Sequence, residues 1–354
     1  MASRRFNRGR HGRGFLHEIL VLLSILLIGG GATGQGHPGA RTFLGFLNAP
    51  GRDGALDDVP RLRVLIGGEA RVAEMDTGST GIVVAASMIP NLDALPSLGP
   101  AKLAYSSSGR IMEGRWVITP VTIEGAGGTQ VTTSPLPILA VTRVSCYAEA
   151  RNCTPDEAPR HIAMIGVGFG READHQSQGT PDHNPFLVLP TMREGRLRRG
   201  YVVTRHGVQV GLERDAISQG FHPVRLARNL ALDDWSAPPV CITLVPAAAP
   251  ACGNLLMDTG VSRSFLTVTP AQLAGVAQTS AAGESTIRPG TRISVRLDPA
   301  GDAGFGYGFA AQDSADPVAP RGITLVGVGQ RPVFLNTSFH FLNAFDYLFD
   351  AEQG

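Results

Sequence analysis

The sequence predicts an all-β protein made of two related lobes. Apolar runs of about four to eight residues recur along the chain, and 44 glycines and 25 prolines separate them, as expected of short strands joined by turns. Hydrophobic residues make up 43% of the 354 residues and charged residues only 17%, which favours packed cores over disorder. The tetrapeptide Met-Asp-Thr-Gly occurs once in each half, at 75–78 and at 257–260.

The N-terminal segment 1–34 is expected to be a signal peptide or an N-terminal membrane anchor. Five arginines crowd residues 4–13, an apolar run follows over 19–28, and small residues fill 29–34. An apolar core of ten residues suits an export signal better than a membrane span, which needs about 20 apolar residues. We therefore expect a secreted or periplasmic protein, which is tethered to a membrane only if this segment stays uncleaved.

The charge of the chain argues against nucleic acid as a partner. Without residues 1–34 the chain loses five arginines and one glutamate, so its net charge changes from +1 to −3. A chain with no excess of positive charge is poorly suited to bind phosphates. The polar segment 171–185 contains histidines and aspartates, but no spacing there fixes a metal geometry, so we predict a solvated surface loop. No cofactor or metal is expected.

Glycine, proline and aspartate are frequent in residues 35–60, which are predicted to be a linker or short leader. An N-terminal lobe is predicted over 61–197 and a C-terminal lobe over 198–354. In the first lobe, strands lead into and out of the Asp-Thr-Gly motif, and 101–125 is predicted to form a hairpin with a Ser/Gly tip. In the second, 269–280 is the best helix candidate, because its first threonine can cap a helix that proline then begins.

The four cysteines form two local couples. Cys146 and Cys153 are seven positions apart, and Cys241 and Cys252 are eleven apart. Four cysteines allow three pairings, and pairing within each couple is favoured because each couple flanks a turn-rich segment and an exported chain meets an oxidising compartment. Neither couple has the short spacing of a zinc site. Buried free thiols remain the alternative to two disulfide bonds.

Both copies of the repeated tetrapeptide have the same surroundings. Each follows a strand-like segment and precedes an apolar stretch, and each is followed later by an apolar segment before a polar turn, AMIGVG in the first half and PVFLNT in the second. A single copy would indicate only a turn that ends a strand. Two copies with matching flanks predict two lobes that face each other across a pseudo-twofold axis and share one site.

With these motifs the chain resembles the pepsin-like (family A1) aspartic proteases from about Leu62 to the C-terminus. The resemblance implies an all-β bilobal fold, in which two β-barrel-like lobes are related by a pseudo-twofold axis and helices are few and short. It also implies that Asp76 and Asp258 form the catalytic pair. Tyr105, at the start of the hairpin tip, matches the flap tyrosine that closes over substrate.

The residues around the two aspartates have supporting roles in this interpretation. Gly78 and Gly260 leave room for backbone N–H groups to reach the carboxylates. The resemblance implies that Thr77 and Thr259 bond across the lobes and hold the two loops at a fixed distance. Ser79 can donate a hydrogen bond to the outer oxygen of the first aspartate and keep that carboxyl ionised.

Three positions depart from the family pattern. Val261 follows the second motif where Ser or Thr is usual, Asn336 replaces the glycine expected in FLNT, and Val83 replaces a tryptophan that holds the flap tyrosine. Trp116, on the return strand of the hairpin, is the candidate substitute for that tryptophan. Because valine cannot donate to Asp258, and loss of a donor to the charged form raises the pKa of a carboxyl, we expect Asp258 to be the readily protonated member. The activity optimum should then lie above the strongly acidic range.

The resemblance implies peptide hydrolysis by two carboxyls that share one proton. Like charges so close cannot both ionise, so the ionised member can take a proton from water while the protonated member donates to the scissile carbonyl. We therefore expect a monomeric aspartic endopeptidase whose substrate is an extended polypeptide beneath the flap. The alternative is a secreted peptide-binding protein that keeps the same cleft without turnover, which Val261 and Asn336 would favour.

Overall fold

The computed structural model describes residues 2–3, 41–105, 108–148, 150, 153–171, 176, 179–213, 220–281, 283–298 and 305–354. Strands dominate these residues and the helices are few and short, so the all-β prediction is confirmed. Apart from Ala2–Ser3, the predicted signal or anchor segment 1–34 lies outside the described residues. In the described part of the chain, no helix has the length and apolar character needed to cross a membrane.

The strands are, in chain order, β1 (Ala2–Ser3), β2 (Thr42–Gly45), β3 (Arg61–Ile66), β4 (Glu69–Asp76), β5 (Thr80–Ala85), β6 (Ser97–Tyr105), β7 (Arg110–Thr119), β8 (Thr122–Glu124), β9 (Gln130–Thr132), β10 (Leu136–Cys146), β11 (Ala163–Val167), β12 (Arg198–Thr204), β13 (Gly207–Leu212), β14 (Arg228–Asn229), β15 (Asp234–Trp235), β16 (Pro239–Thr243), β17 (Ala251–Leu256), β18 (Ser264–Thr267), β19 (Ala277–Thr279), β20 (Ser285–Ile287), β21 (Arg292–Leu297), β22 (Gly306–Ala310), β23 (Ile323–Leu325), β24 (Phe334–Asn336) and β25 (Asp346–Asp350). The single α-helical turn among the described residues is α1 (Pro190–Arg193), and short 3-10 helices cover Ala86–Met88, Leu92–Ala94, Pro181–His183, Pro270–Leu273 and Phe339–Asn343.

A nine-stranded sheet in the order β6-β7-β10-β5-β11-β4-β3-β8-β9 forms the N-terminal lobe. Near its centre, β11 runs parallel to β4 and antiparallel to β5, so Gly166 lies beside both Asp76 and Gly81. A Cβ on Gly166 would come within 2.9 Å of backbone atoms of Ser79, Thr80 and Gly81. Glycine is therefore required where β11 meets the loop between β4 and β5.

A second nine-stranded sheet, in the order β19-β20-β23-β18-β24-β17-β16-β21-β22, forms the C-terminal lobe. In it, β24 runs parallel to β17 and antiparallel to β18, as β11 does between β4 and β5. The loop between β17 and β18 therefore has the same setting as the loop between β4 and β5. One cluster of buried apolar side chains extends through both lobes.

A five-stranded sheet, in the order β1-β25-β12-β13-β2, combines strands from both ends and the middle of the chain. The linker predicted over 35–60 is wrong for its described part, because β2 pairs with β13 and Leu44, Phe46 and Leu56 are buried. The frequent glycine and proline indicated a linker. The apolar residues between them, however, pair and pack with segments that lie far along the chain. The lobe boundary predicted at 197/198 falls at the start of β12, which is a strand of this sheet.

The helix predicted over 269–280 is only one turn long. A 3-10 helix covers Pro270–Leu273, the threonine before it makes no capping hydrogen bond, and β19 follows. Gly275 has a φ of 74°, and the Gln272 side chain accepts two backbone hydrogen bonds from the segment after β16. These tertiary contacts override the local helix preference.

Both cysteine couples are disulfide-bonded, which confirms the favoured local pairing. Cys146 and Cys153 have their Cα atoms 5.8 Å apart. Cys241 and Cys252 face each other across β16 and β17, with their Cα atoms 4.0 Å apart. The first disulfide closes a loop next to the β6–β7 hairpin, and the second joins neighbouring strands of the C-terminal lobe.

Candidate active site

The two Asp-Thr-Gly loops leave equivalent strands and meet each other. Asp76 ends β4 and Asp258 follows β17, and these residues are only 5% and 7% exposed. A Cβ on Gly260 would lie 2.6 Å from Cγ of Asp76, and one on Gly78 would lie 2.6 Å from Oδ2 of Asp258. Each carboxyl thus occupies the space that a side chain on the opposite glycine would fill. The structure therefore brings the two aspartates together where the loops meet.

Two threonines join the loops through reciprocal hydrogen bonds. The backbone N–H of Thr77 donates to Oγ1 of Thr259, and the N–H of Thr259 donates to Oγ1 of Thr77, both at 3.0 Å. Each hydroxyl donates onward to a carbonyl oxygen of the opposite strand end, Thr77 to Met257 at 2.6 Å and Thr259 to Met75 at 2.7 Å. These buried bonds hold one loop against the other.

Each carboxyl accepts hydrogen bonds on both of its oxygens, from unlike donors. The Oδ1 atoms accept from the backbone N–H of the glycine two residues ahead, at 2.6 Å for Asp76 and 2.9 Å for Asp258. Oδ2 of Asp76 accepts from the Ser79 hydroxyl at 2.5 Å. Oδ2 of Asp258 accepts from the side-chain amide of Asn336, also at 2.5 Å. Neither motif pointed to this role of Asn336, which lies 78 positions from Asp258 in the sequence.

The strand register corrects the position assigned to Asn336. In the first lobe Gly166 pairs with Asp76. In the second lobe β24 pairs Asn336 with Leu256, two residues before Asp258, and the strand ends there. Asn336 is therefore not level with Asp258 in the way that Gly166 is level with Asp76. Ser338, which follows, is buried, and its φ of 62° and ψ of 176° lie in a region that almost only glycine adopts.

Burial raises the pKa of Asp258, and the negative charge of Asp76 raises it further. The Asn336 amide and the Arg171 guanidinium lower it, and the net shift is upward. Asp258 therefore keeps a proton under conditions in which an exposed aspartate is ionised. The pKa of Asp258 is raised, as expected. Its first cause is burial and not the lack of a donor, because Asn336 supplies a hydrogen bond in place of the missing hydroxyl.

Tyr105 ends β6, just before the tip of the β6–β7 hairpin, and pairs with Arg110. Its hydroxyl is buried and makes no hydrogen bond of ordinary geometry to the described residues. Burial and then the negative charge of Asp76 raise the pKa of this phenol well above its usual value, while the nearby Ser79 hydroxyl lowers it. The hairpin thus brings Tyr105 to the Asp76 side of the site.

Trp116 does not hold Tyr105, contrary to the expectation. It lies opposite Gly99, well away from the hairpin tip, and its ring stacks on His183 with centroids 5.4 Å apart. Tyr105 and Trp116 both pack against a small apolar cluster that contains Val83. The register of the hairpin separates the two aromatic side chains, and the sequence alone did not define that register.

The solvated loop predicted over 171–185 is wrong for three of its described residues. Arg171, Gln176 and Asn184 are 7%, 5% and 0% exposed. Nε2 of Gln176 donates to the carbonyl oxygen of Gly78 at 3.4 Å, and Asn184 donates to the carbonyl oxygen at the end of β11 at 2.8 Å. These side chains satisfy backbone groups behind the first loop. Their polar character indicated solvent, and no pattern in the sequence pointed to this use.

Comparison with known proteins finds similarity in structure and none in sequence. No protein-family model matches the chain, and no curated protein matches it. Among solved structures, the crystal structure of an aspartic proteinase from Irpex lacteus matches with a TM-score of 0.53 and 12% sequence identity. The match covers 89% of this chain and 95% of that one. At this identity the likeness concerns the fold alone, and it confirms the predicted bilobal architecture.

Proposed function

We propose that this chain, which has the pepsin-like aspartic protease fold, is an exported aspartic endopeptidase that uses Asp76 and Asp258 as its catalytic pair. The observation that carries the proposal is the contact of two buried carboxyls, one of which has a raised pKa. Two carboxyls so placed share a proton, because both cannot be ionised at such a separation. One of them can then act as a base while the other acts as an acid.

In the proposed reaction, a water molecule attacks the scissile peptide carbonyl. Asp76, which accepts hydrogen bonds from Gly78 and Ser79, is the ionised member and takes a proton from this water. Asp258 gives its proton to the carbonyl oxygen as the water oxygen bonds to the carbonyl carbon. The product of this step is a neutral tetrahedral diol, and the proton of the pair now lies on Asp76.

The second step breaks the C–N bond of the diol. Asp76 passes its proton to the amide nitrogen, and one hydroxyl of the diol returns a proton to Asp258. The products are a carboxylic acid and an amine, and the pair regains its original protonation. Because one chain supplies both carboxyls, the proposed enzyme acts as a monomer.

The proposed substrate is an extended polypeptide. The β6–β7 hairpin brings Tyr105 beside Asp76, and an extended segment can bind next to such a hairpin through backbone hydrogen bonds. Two disulfide bonds favour an oxidising compartment, which supports export to the periplasm or beyond the cell.

Hydrolysis of an unfolded protein by the purified chain tests this proposal. A statine-type inhibitor should block cleavage, and D76N and D258N should each lower kcat/KM by about 10²–10⁴-fold, the usual contribution of an acid–base group. The matched control is D53N, because Asp53 is exposed and lies outside the site. Inhibitor binding with no cleavage in acidic or neutral buffers would instead indicate a peptide-binding protein. Cleavage that survives both active-site substitutions would refute the assigned pair.

A further inference from the structure

We propose that Asn336 is a positioning residue for Asp258, and that its side-chain amide supplies the hydrogen bond that Val261 cannot donate. The inference rests on the proposed function, since it concerns the placement of one of the two catalytic carboxyls. It assigns a role in the site to a residue that, from the sequence alone, favoured a binding protein without turnover.

The contact between Asn336 and Asp258 is direct and enclosed. Nδ2 of Asn336 lies 2.5 Å from Oδ2 of Asp258, and both residues are buried. A hydrogen bond to a carboxylate in such surroundings is stronger than one between neutral groups in water. In the first lobe the corresponding oxygen, Oδ2 of Asp76, is held by Ser79 from the same loop. In the second lobe the donor comes from a neighbouring strand.

The amide of Asn336 is held in one orientation. Its Oδ1 accepts a hydrogen bond from the backbone N–H of Ser338 at 3.0 Å, so Nδ2 faces Asp258. Ser338 has the unusual φ of 62°, and backbone of this kind persists only where its surroundings hold it. Asn336 is one of the contacts that hold it, and it connects this strained turn to the carboxyl.

An amide acts on Asp258 differently from a hydroxyl. Its NH₂ group only donates, whereas a hydroxyl can donate or accept. The proton of Asp258 therefore cannot be given to Asn336 and stays available to Asp76 or to substrate. The charged groups that act on Asp258 from the described part of the chain are Asp76 and Arg171, and Asn336 adds a donor that keeps its character at every pH.

Three variants separate positioning from structural support. N336G removes the amide completely. N336D keeps an oxygen for the N–H of Ser338 and replaces the amide donor with a second carboxyl group. The double variant V261T/N336G offers a hydroxyl from the loop of Asp258 itself. We expect kcat/KM to fall by about ten- to a hundredfold in N336G, as for the loss of one hydrogen bond to a charged group, and to recover in the double variant.

The pH profile gives a readout that structural support alone would not change. Loss of the donor raises the pKa of Asp258. The alkaline limb of kcat/KM against pH should therefore move upward in N336G, and return in V261T/N336G. It should move furthest in N336D, which adds a second carboxylate. A wild-type profile in N336G would overturn the proposal, because this variant loses the donor without adding a charge.

Unfolding measured against pH tests Asn336 without catalysis. Because the pKa of Asp258 is raised on folding, the free energy of unfolding falls as pH rises from the unfolded pKa to the folded one. N336G should extend this fall to higher pH, and it should not do so in a D258N background. If the wild type cleaves no peptide and this pattern holds, the proposed function fails and the role of Asn336 stands. If N336G and the wild type share one pH dependence, the inference fails.

Discussion

Gly78 and Gly260 show how the lack of a side chain shapes this site. Neither has a positive φ, so the backbone does not require glycine at these positions. Space does require it, because a Cβ on either residue would overlap the carboxyl group of the opposite loop. A substitution here is therefore a steric probe of the distance between Asp76 and Asp258.

We predict that Gly78→Ala lowers kcat/KM by about a hundredfold or more and costs about 1–3 kcal/mol of stability, as overpacking does. The new Cβ would have to displace Asp258 from Asp76. The matched control is Gly51→Ala, where no atom lies within 4 Å of the added Cβ. Steady-state kinetics and denaturant unfolding of both variants measure the effects. Full activity in the Gly78 variant would contradict the contact between the carboxyls.

Asp258 should also make stability depend on pH. Its folded pKa is raised, so the folded chain holds a proton that the unfolded chain releases, and every tenfold difference in proton affinity between the two states lowers stability by about 1.4 kcal/mol once both are ionised. We predict that D258N is more stable than the wild type at neutral pH, and that this advantage disappears in acid, below the unfolded pKa. Urea unfolding at several pH values measures the difference. Parallel curves for the two proteins would contradict the prediction.

Among the elements, the disulfide loop supports the hairpin that ends in Tyr105. The strand β7 pairs with β10 as far as Cys146, which is bonded to Cys153. The backbone N–H of Tyr147, inside this loop, donates to the carbonyl oxygen of Gly109 at the hairpin tip, at 2.8 Å. Gly109 also packs so closely on Ala150 that a Cβ would collide with it. The loop therefore limits how far the tip can move.

We predict that C146S/C153S raises KM severalfold, because the hairpin tip loses its support. The stability loss should be about 2–3 kcal/mol, as estimated for a short disulfide loop. The control is C241S/C252S, which removes a disulfide from the opposite lobe and should lower stability without changing KM. Kinetics and thermal unfolding of both variants decide the matter. An equal rise of KM in the two variants would show that the effect is general destabilisation.

In the molecule as a whole, two sets of contacts join the parts of the chain. The five-stranded sheet takes strands from 2–3, 42–45, 198–212 and 346–350, so its formation needs segments that precede, separate and follow the two nine-stranded sheets. The hydrogen bonds between Thr77 and Thr259 join the lobes at the site itself. Together these contacts allow a pair of aspartates from different lobes to keep a fixed separation.

We predict that T77V and T259V each destabilise the chain by about 2–3 kcal/mol, since each leaves buried backbone groups without partners. In a double-mutant cycle the pair should show a coupling energy of about 0.5–3 kcal/mol. Thr122 and Thr132, whose exposed hydroxyls lie 2.8 Å apart, form the control pair, for which valine substitutions should change stability by less than about 0.5 kcal/mol. Equal coupling in both pairs would contradict the proposed role of the cross-lobe bonds.

The class of fold, the two aspartates and the favoured pairing of cysteines could all be predicted from the amino-acid sequence. Each depends on residues near one another in the chain: short apolar runs between glycines and prolines, the repeated Asp-Thr-Gly with its flanks, and cysteines that lie on either side of a turn. Such patterns act through local backbone conformation and through the alternation of side chains on a strand. Both can be recognised from residues that are close together in the sequence.

The residues that complete the site could be identified only from the packing of the folded chain. Asn336 reaches Asp258 from 78 positions away, and Gln176 reaches Gly78 from 98 positions away. β24 pairs Asn336 with Leu256, two residues before Asp258, whereas β11 pairs Gly166 with Asp76 itself. Side chains two apart on a strand lie on the same face, so both registers satisfy the same apolar pattern. The packing of β24 between β17 and β18 selects one of them, and that selection determines which side chain donates to the carboxyl.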